Sequence, residues 1–356
     1  MTDKIKRLRE NIDALDARLV KLISERARFA QSVGHAKNGA AAYRPEREAQ
    51  ILRRVAALNP GPLPDSALQS VYTEIMSACR ALEDEITVAY LGPAGTYSQE
   101  AALKHFGATA PLAACSSIDD VFRRVETGAA GYAVVPVENS TEGAVGRTLD
   151  LLLSTAAKIC GEVMLPIRQC LMSKVKTAGA IRKVYSHTQS LAQCQQWLAR
   201  NLPGAETVAV VSNAEAAQLA ARERGAAAIA SKTAAELYGL RLLERNIEDE
   251  PRNTTRFLVL AGEDARPSGN DKTSLVLSAR NVPGAVHELL TPLAKNRVSM
   301  TKLESRPART GRWEYVFYVD VEGHREDANV ARALAELERK ASWFKNLGSY
   351  PAAVKK

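Results

Sequence analysis

The chain has 356 residues, of which 46% are hydrophobic and 25% charged, and its formal net charge is +8. This length predicts two or three domains, and this composition is typical of a globular protein with sizeable cores. The positive charge fits either a nucleic-acid partner or small anionic substrates. Aromatic residues make up 5% of the chain, and basic residues are interspersed with acidic ones, which argues against nucleic-acid binding.

The first residues and the cysteines indicate the compartment. Residues 1–10 are polar and amphipathic, without a signal-peptide core, and no apolar run approaches the length of a membrane span. The five cysteines are scattered and lack CxxC spacing: Cys79, Cys115, Cys160, Cys170 and Cys194. This spacing predicts reduced thiols and no metal site. We therefore expect a cytoplasmic protein with no membrane or nucleic-acid partner.

The first segment, residues 1–86, is predicted to be all-helical. Its first part carries apolar residues at steps of three and four: Ile5, Leu8, Ile12, Leu15, Leu19, Leu22, Phe29 and Val33. Gly39 interrupts this pattern, Pro45 favours the first turn of a second helix, and a proline-rich loop at residues 60–64 precedes a third. One long and two shorter helices cannot bury the stripe alone, so the sequence predicts a dimer.

The remaining chain divides into two further segments. Residues 87–262 alternate short apolar runs with helical stretches, which predicts an α/β domain. The stretch at residues 158–174 separates two halves and indicates two lobes around a cleft. Residues 262–271 are typical of a linker. Residues 272–356 show the βαββαβ order of a ferredoxin-like α+β domain.

Several basic residues lie near the apolar stripe of the first helix. Arg26 and Lys37 are eleven residues apart, on one helix face and about 16 Å apart along the axis, so both side chains can reach one small dianion. Arg9 lies roughly 25 Å from Arg26 and points about 100° away. Arg9 of an antiparallel partner chain could reach that ligand instead. Periodicity alone favours solvated surface positions for these charges.

Three blocks of this segment resemble the all-helical class of chorismate mutases. They are LRENIDALD (residues 8–16), ISERARFAQSVGHAK (residues 23–37) and YRPEREAQIL (residues 43–52). The resemblance implies a site shared by two chains and formed by Arg9 of the partner chain with Arg26, Lys37, Arg47 and Glu48. Lys37 and Glu48 would be catalytic, with Lys37 at the substrate ether oxygen and Glu48 accepting from the substrate hydroxyl.

Two positions depart from this family's usual pattern. Glu83 stands where related mutases often have Gln, and Cys79 stands where a serine is common. An amide can donate a hydrogen bond to the ether oxygen, whereas the Glu83 carboxyl group can donate in its protonated form alone. The resemblance implies a catalytic role for Glu83, and the alternative is a solvated helix end.

Four blocks of the middle segment resemble prephenate dehydratases. They are AYLGPAGTYSQEAA (residues 89–102), VVPVENSTEGAVG (residues 134–146), YSHTQSLAQC (residues 185–194) and PRNTTRFLVL (residues 251–260). Taken alone, a glycine-rich turn is a weak sign of an anion site and a lone histidine is more typical of a structural loop. Polar groups gathered at several strand ends, however, are how α/β sheets build sites.

The resemblance to the dehydratases implies a set of site residues in a cleft between two lobes. Thr255 would be catalytic. The implied substrate-binding residues are Thr96, Ser98, Asn139, Ser140, Ser186, His187, Gln193, Arg256 and Phe257. Whether Thr255 relays a proton or forms a hydrogen bond to the leaving hydroxyl stays open. The reaction needs no metal and no organic cofactor, and no ligand cluster in the sequence indicates one.

The last segment resembles the ACT domains that follow prephenate dehydratases. The resemblance is carried by a Gly-Ala-Val run and by a Glu-Ser-Arg-Pro run within residues 279–307. It implies a phenylalanine effector site, and the implied contacts are Asn281, Gly284, Ala285, Val286, Leu303, Glu304, Ser305 and Arg306. Such domains pair side by side, which places the effector site at a subunit interface. Without the resemblance, a plain βα turn is the interpretation.

The order of the three segments resembles that of bifunctional chorismate mutase–prephenate dehydratases. The resemblance implies conversion of chorismate to prephenate and of prephenate to phenylpyruvate, feedback inhibition by phenylalanine, and a homodimer or higher homo-oligomer. Two alternatives stay open. An arogenate dehydratase would accept the aminated substrate, and an amino-acid-binding protein with inactive sites would share the same fold.

Overall fold

The computed structural model describes residues 2–36, 43–83, 86–279, 282–307 and 315–353. A helical domain, a two-lobed α/β domain and a C-terminal α+β domain follow one another along the chain. In this described part, no helix is both long and apolar enough to cross a membrane.

The helical domain consists of α1 (Thr2–Ala36), α2 (Pro45–Ala57) and α3 (Asp65–Arg80). Pro45 lies in the first turn of α2 as predicted, where its missing N–H breaks no helical hydrogen bond. The predicted apolar stripe of α1 is exposed in the single chain: Leu15 is 52% and Phe29 66% exposed. A stripe of this length in water supports the predicted need for a partner surface.

The first lobe of the α/β domain is built on a mixed sheet. Its strands and helices are β1 (Val88–Leu91), α4 (Tyr97–Phe106), β2 (Leu112–Cys115), α5 (Ile118–Glu126), β3 (Tyr132–Asn139), β4 (Gly143–Ala144), α6 (Gly146–Ser154), β5 (Lys158–Pro166) and β11 (Thr254–Ala261). The strand order is β2-β1-β3-β11-β5, and β4 pairs with β3. Strand β11 pairs antiparallel with both β3 and β5, so the chain returns from the second lobe to complete the first.

The second lobe has its own five-stranded sheet. It contains β6 (Cys170–Ser173), β7 (Lys183–His187), α7 (Thr188–Gln193), α8 (Gln195–Asn201), β8 (Glu206–Val210), α9 (Asn213–Arg222), β9 (Ala226–Ala230), α10 (Lys232–Leu237) and β10 (Arg241–Arg245). The strand order is β10-β6-β9-β7-β8. Alanines dominate both β9 and the buried face of α9, and their small side chains let the helix pack closely on the sheet.

The C-terminal domain has the predicted βαββαβ order. Its elements are β12 (Asp271–Ser278), α11 (Ala285–Lys295), β13 (Met300–Pro307), β14 (Tyr315–Glu322), α12 (Ala328–Lys340) and β15 (Trp343–Pro351). The antiparallel sheet runs β13-β14-β12-β15. One face of this sheet packs on the first lobe, where the Tyr318 hydroxyl donates to the Leu149 carbonyl at 2.6 Å. Gly348 is required there, because a Cβ would lie 2.3 Å from the Ile159 carbonyl oxygen.

The predicted linker is bound to the C-terminal domain. The Ala265 N–H donates to the Ser349 carbonyl at 3.0 Å, and the Ala265 carbonyl lies 2.9 Å from Nε2 of His324. Arg53 of α2 donates to the Ser268 carbonyl. These contacts hold the linker against the C-terminal domain and the helical domain, and composition alone did not predict them.

Candidate functional sites

The three helices of the first domain enclose a pocket of about 350 Å³. Its charged lining residues come from all three helices and their ends: Arg26, Arg44, Arg47, Glu48, Arg80 and Glu83. Arg26 donates from Nη1 to the Cys79 sulfur at 3.1 Å. The Glu83 side chain lies close to Gly34, since a Cβ on Gly34 would be 2.9 Å from Cγ of Glu83. The end of α1 and the end of α3 therefore meet at this pocket.

Four of the residues predicted for a mutase site line this pocket: Arg26, Arg47, Glu48 and Glu83. Arg9 is exposed and does not line the pocket of its own chain, and its place in the site of another chain stays a prediction. Lys37 lies outside the described residues. Arg44 and Arg80 also line the pocket and were not predicted. Arg44 could have been inferred from its position next to Pro45, because it lies in the same turn as Arg47.

Arg80 is the most buried cation of the pocket, with 5% exposure. Its Nη1 donates to Oε1 of Glu48, and its Nη2 donates to the Phe106 carbonyl at 2.6 Å. Burial raises the pKa of Glu48, and the charge of Arg80 acts in the opposite direction, with a net pKa above the ordinary value. Glu48 is thus a partly buried carboxylate with one oxygen bound to an arginine.

The two lobes of the α/β domain enclose a larger cleft of about 920 Å³. Its polar lining includes Thr96, Ser98, Asn139, Gln169, His187, Ser190, Gln193, Asn213, Asn253 and Thr255, and Phe257 contributes an apolar wall. None of the described residues that line the cleft is Arg or Lys. The lining also includes the carboxylate of Glu215, so the groups suited to bind an anion in this cleft are its N–H and O–H donors and the N-termini of helices such as α4 and α9.

Asn139 organises the centre of the cleft. Its Nδ2 donates to Oγ1 of Thr255 at 2.8 Å and to Oδ1 of Asn253 at 2.8 Å. Its Oδ1 accepts from the Thr141 N–H at 3.0 Å, which fixes the orientation of the amide. Because Oγ1 of Thr255 accepts from Asn139, the Thr255 hydroxyl proton can point towards a ligand.

Asn253 lines the cleft. It belongs to the PRNTTRFLVL motif but was not predicted as a site residue. It is 1% exposed, and its Nδ2 has no hydrogen-bond partner within the described part of the chain. A buried amide donor without a partner costs free energy unless a ligand or water satisfies it. Asn253 therefore offers a donor to a bound anion.

The other predicted cleft residues are held by local contacts. Thr96 caps α4, where its hydroxyl accepts from the Gln99 N–H. His187 caps α7 in the same way through Nδ1. Oε1 of Gln193 accepts from Nε2 of Gln169 at 3.3 Å. These contacts fix the side chains at the cleft wall.

Three predicted substrate-binding residues do not line the cleft. Ser140 is exposed, and its Oγ accepts from the Thr254 N–H at 3.0 Å. Ser186 is fully buried and donates to the Ile229 carbonyl at 2.7 Å. Arg256 lies on the opposite face of β11 from Thr255, paired with Glu162 and Asp320. Successive side chains of a strand point to opposite faces, so Thr255 and Arg256 cannot share one cleft.

Of the predicted effector residues, Val286, Leu303 and Ser305 are exposed, whereas Arg306 reaches Asp150 in the first lobe. Gly284 is the N-cap of α11 with a φ of 78°, which favours glycine. Val286 is 38% and Leu303 45% exposed. Glu304 and Arg306 pair with Lys302 (3.5 Å) and Asp150 (3.4 Å). Ala285 follows the cap and Ser305 is exposed on the edge strand β13, whereas Asn281 lies outside the described residues.

Within the described ranges, no group of three His, Cys, Asp or Glu side chains could hold a metal ion. All five cysteines are buried and free of disulfides. Burial raises the pKa of the Cys160 and Cys194 thiols, so both are neutral.

The fold and the two sites define a multidomain enzyme with an arginine-lined helical pocket, a polar interlobe cleft and a regulatory α+β domain. Three family models match it in this order: chorismate mutase type II over residues 8–84, prephenate dehydratase over residues 88–265 and the ACT domain over residues 273–339. A bifunctional chorismate mutase/prephenate dehydratase of Neisseria gonorrhoeae is 54% identical over 349 residues, covering 97% of this chain and 96% of the relative. The chain therefore belongs to the family of bifunctional chorismate mutase/prephenate dehydratases.

Two solved structures share the fold of the last two domains. A prephenate dehydratase from Arthrobacter aurescens in complex with L-Phe is 33% identical with a TM-score of 0.70, covering 75% of this chain and 90% of that one. A protein described as a quorum-quenching acylase, GqqA, is 32% identical with a TM-score of 0.68, covering 75% of this chain and 98% of that one. Proteins with different described activities thus share this fold, and the activity must be argued from the sites.

Proposed function

We propose that the chain rearranges chorismate to prephenate in the helical pocket and converts prephenate to phenylpyruvate, CO2 and water in the interlobe cleft. The C-terminal domain binds phenylalanine, which inhibits the dehydratase. The observation that carries this proposal is the pairing of two different sites in one chain. One is rich in arginine beside a carboxylate, and the other is rich in neutral donors around Thr255.

The mutase reaction needs no covalent step from the protein. Chorismate must be held in a compact conformer while charge develops on its breaking ether oxygen. The planar forks of Arg26 and Arg47 suit the two substrate carboxylates, and Glu48 accepts from the substrate hydroxyl. Lys37 and Glu83 are proposed to face the ether oxygen.

A homodimer completes the mutase site. The exposed apolar stripe of α1 would be covered by α1 of a second chain, and Arg9 of that chain would enter the pocket. Burial of these side chains supplies the driving force for association. The cytoplasmic location inferred from the sequence stays a prediction.

The dehydratase reaction is driven by aromatisation of the prephenate ring. The electron pair of the ring–carboxylate bond enters the ring as CO2 departs, and the ring hydroxyl leaves with a proton as water. Thr255 donates a hydrogen bond to that hydroxyl, with Asn139 fixing its oxygen. Asn253 and the N-termini of α4 and α9 bind the carboxylates.

The test of this proposal is a product analysis with purified protein. Prephenate and arogenate are supplied separately, with and without phenylalanine, and phenylpyruvate and phenylalanine are quantified. Faster formation of phenylpyruvate from prephenate, slowed by phenylalanine, is expected. Preference for arogenate would assign the protein to the alternative dehydratase class. Phenylalanine binding without turnover of any substrate would make it a sensor.

A further inference from the structure

Arg80 is a buried arginine that reaches from the helical domain to the dehydratase domain. It is the last residue of α3. One nitrogen donates to the Glu48 carboxylate and another to the carbonyl of Phe106. Phe106 ends α4, and Tyr97 at the start of α4 lines the dehydratase cleft. A single helix thus runs from the dehydratase cleft to the residue that supports Arg80.

The surroundings of Arg80 hold its guanidinium in one place. The guanidinium carbon lies 5.1 Å from the ring centre of Tyr43 and 5.7 Å from that of Phe106. The Tyr43 hydroxyl lies 2.6 Å from Nε2 of His105, so the aromatic support is itself fixed to α4. Stacking and two hydrogen bonds exploit the planar fork of arginine, which lysine lacks.

We propose that Arg80 is a positioning residue of the mutase site, which holds the Glu48 carboxylate by one oxygen and leaves the other oxygen to accept from the substrate hydroxyl. The dehydratase domain completes this support through the Phe106 carbonyl. The mutase pocket of this chain therefore depends on a residue of the neighbouring domain. This inference rests on the mutase activity proposed above.

The charges around Glu48 give the proposal a measurable signature. Three groups from other helices surround Glu48: Arg26 of α1, Arg80 at the end of α3 and Glu83 just after it. The titratable and charged groups near Glu48 at the start of α2 are Tyr43, Arg44 and Arg47. Burial raises the pKa of Glu48, Arg80 and Arg26 lower it, and Glu83 raises it. Removing the charge of Arg80 must therefore raise the pKa of Glu48 further. Because the ionised form is the acceptor, mutase activity should then be lost at a higher pH on acidification.

The experiment uses the full-length protein and compares Arg80→Met with Arg53→Met. Arg53 is a matched control, because it also donates from a helix of the first domain to a carbonyl of a later segment, that of Ser268, and lines neither pocket described above. Arg80→Met should lower mutase kcat/KM by about tenfold or more and shift the acid limb of its pH profile upward. Arg53→Met should leave that limb in place.

A double-mutant cycle with Glu48→Gln separates positioning from general loosening of the domain interface. If Arg80 acts through Glu48, adding Arg80→Met to the Glu48→Gln protein should lower mutase kcat/KM little further. Should Arg80→Met give little folded protein, Arg80→Lys retains a charge and is expected to show a smaller shift of the acid limb with reduced turnover.

Three results would overturn the proposal. One is a folded Arg80→Met protein in which the acid limb of the mutase pH profile is unchanged. Another is a double variant whose loss of mutase kcat/KM equals the product of the two single losses. An equal shift of the acid limb in Arg53→Met would assign the effect to the interface as a whole. A wild-type protein without mutase activity would instead remove the proposed function, and this inference with it, so the two failures are distinguishable.

Discussion

Arg256 and Asp320 form a buried ion pair that joins β11, an interior strand of the first-lobe sheet, to the C-terminal domain. Nη1 of Arg256 lies 2.5 Å from Oδ2 of Asp320, and both side chains are 9% exposed. The preceding residue, Thr255, faces the cleft. One peptide bond therefore separates Thr255, the proposed hydrogen-bond donor to the leaving hydroxyl, from a residue that contacts strand β14 of the C-terminal domain directly.

This ion pair predicts that Asp320→Asn weakens feedback inhibition. We expect phenylalanine binding to be coupled to β11 through the Arg256–Asp320 ion pair, and the variant reduces the attraction within this pair. We expect the phenylalanine concentration for half-inhibition of the dehydratase to rise several-fold. Asp264→Asn is the control, since the Asp264 side chain is also 9% exposed and paired with an arginine, Arg325, away from β11. Equal inhibition curves for wild type and Asp320→Asn would show that the signal takes another route.

Thr255→Ala should separate the two activities. Loss of the hydroxyl should lower dehydratase turnover on the order of a hundredfold or more, and mutase turnover should stay near that of the wild type because the helical pocket contains no part of β11. Thr255→Ser keeps the hydroxyl and should retain most of the dehydratase activity. Separate assays with chorismate and with prephenate measure both effects, and parallel loss of the two activities in a folded protein would contradict the two-site account.

Asn253→Asp should weaken prephenate binding. The substitution keeps the oxygen that accepts from Asn139 but removes the N–H donor that has no partner among the described residues. It also adds a negative charge to a cleft in which no described lining residue is Arg or Lys. We expect KM for prephenate to rise about tenfold or more. Steady-state kinetics on prephenate provide the measurement. An unchanged KM would mean that this amide does not contact the substrate.

Mixed dimers should reveal the shared mutase site. Arg9→Ala and Arg26→Ala each remove one residue from every site of their own dimers, whereas a mixed dimer has one intact site. Random pairing after joint refolding should restore about one quarter of the wild-type mutase activity. The measurement needs a separate confirmation that mixed dimers have formed. Their formation without recovery of activity would place Arg9 outside the site.

Glu83→Gln should raise mutase turnover. Glutamine donates a hydrogen bond to the ether oxygen through its amide, whereas a carboxylate has no proton to donate and repels the negative charge that develops there. Steady-state kinetics on chorismate provide the measurement, and dehydratase turnover should stay unchanged as the internal control. Mutase turnover equal to that of the wild type would assign Glu83 to the solvated end of α3.

Much of the architecture could be predicted because periodicity and element order determine it. The stripe of α1 and the βαββαβ order of the last domain are local patterns, and both are present in the structure. The contacts of the predicted linker could not be foreseen, because partners such as Ser349 and Arg53 are distant from it in sequence. Composition reports intrinsic flexibility and does not report such partners.

The site residues were harder to predict from motifs alone. Thr255 and Arg256 are adjacent in one motif, but the alternation of a strand sends them to the cleft and to the C-terminal domain, respectively. Ser186 belongs to a motif and yet lies behind the cleft wall, with its Oγ 3.0 Å from Oδ1 of the cleft residue Asn213. Arg80 had no local signal, since its partner Phe106 lies 26 positions along the chain in another domain.

The central claim is that one chain carries out two successive reactions at separate sites, and a quenched time course on chorismate tests it most directly. Purified protein is mixed with chorismate, and chorismate, prephenate and phenylpyruvate are quantified over time. We predict that prephenate rises first and phenylpyruvate follows, and that phenylalanine slows the second step. A folded protein that forms no phenylpyruvate from either chorismate or prephenate would contradict the account.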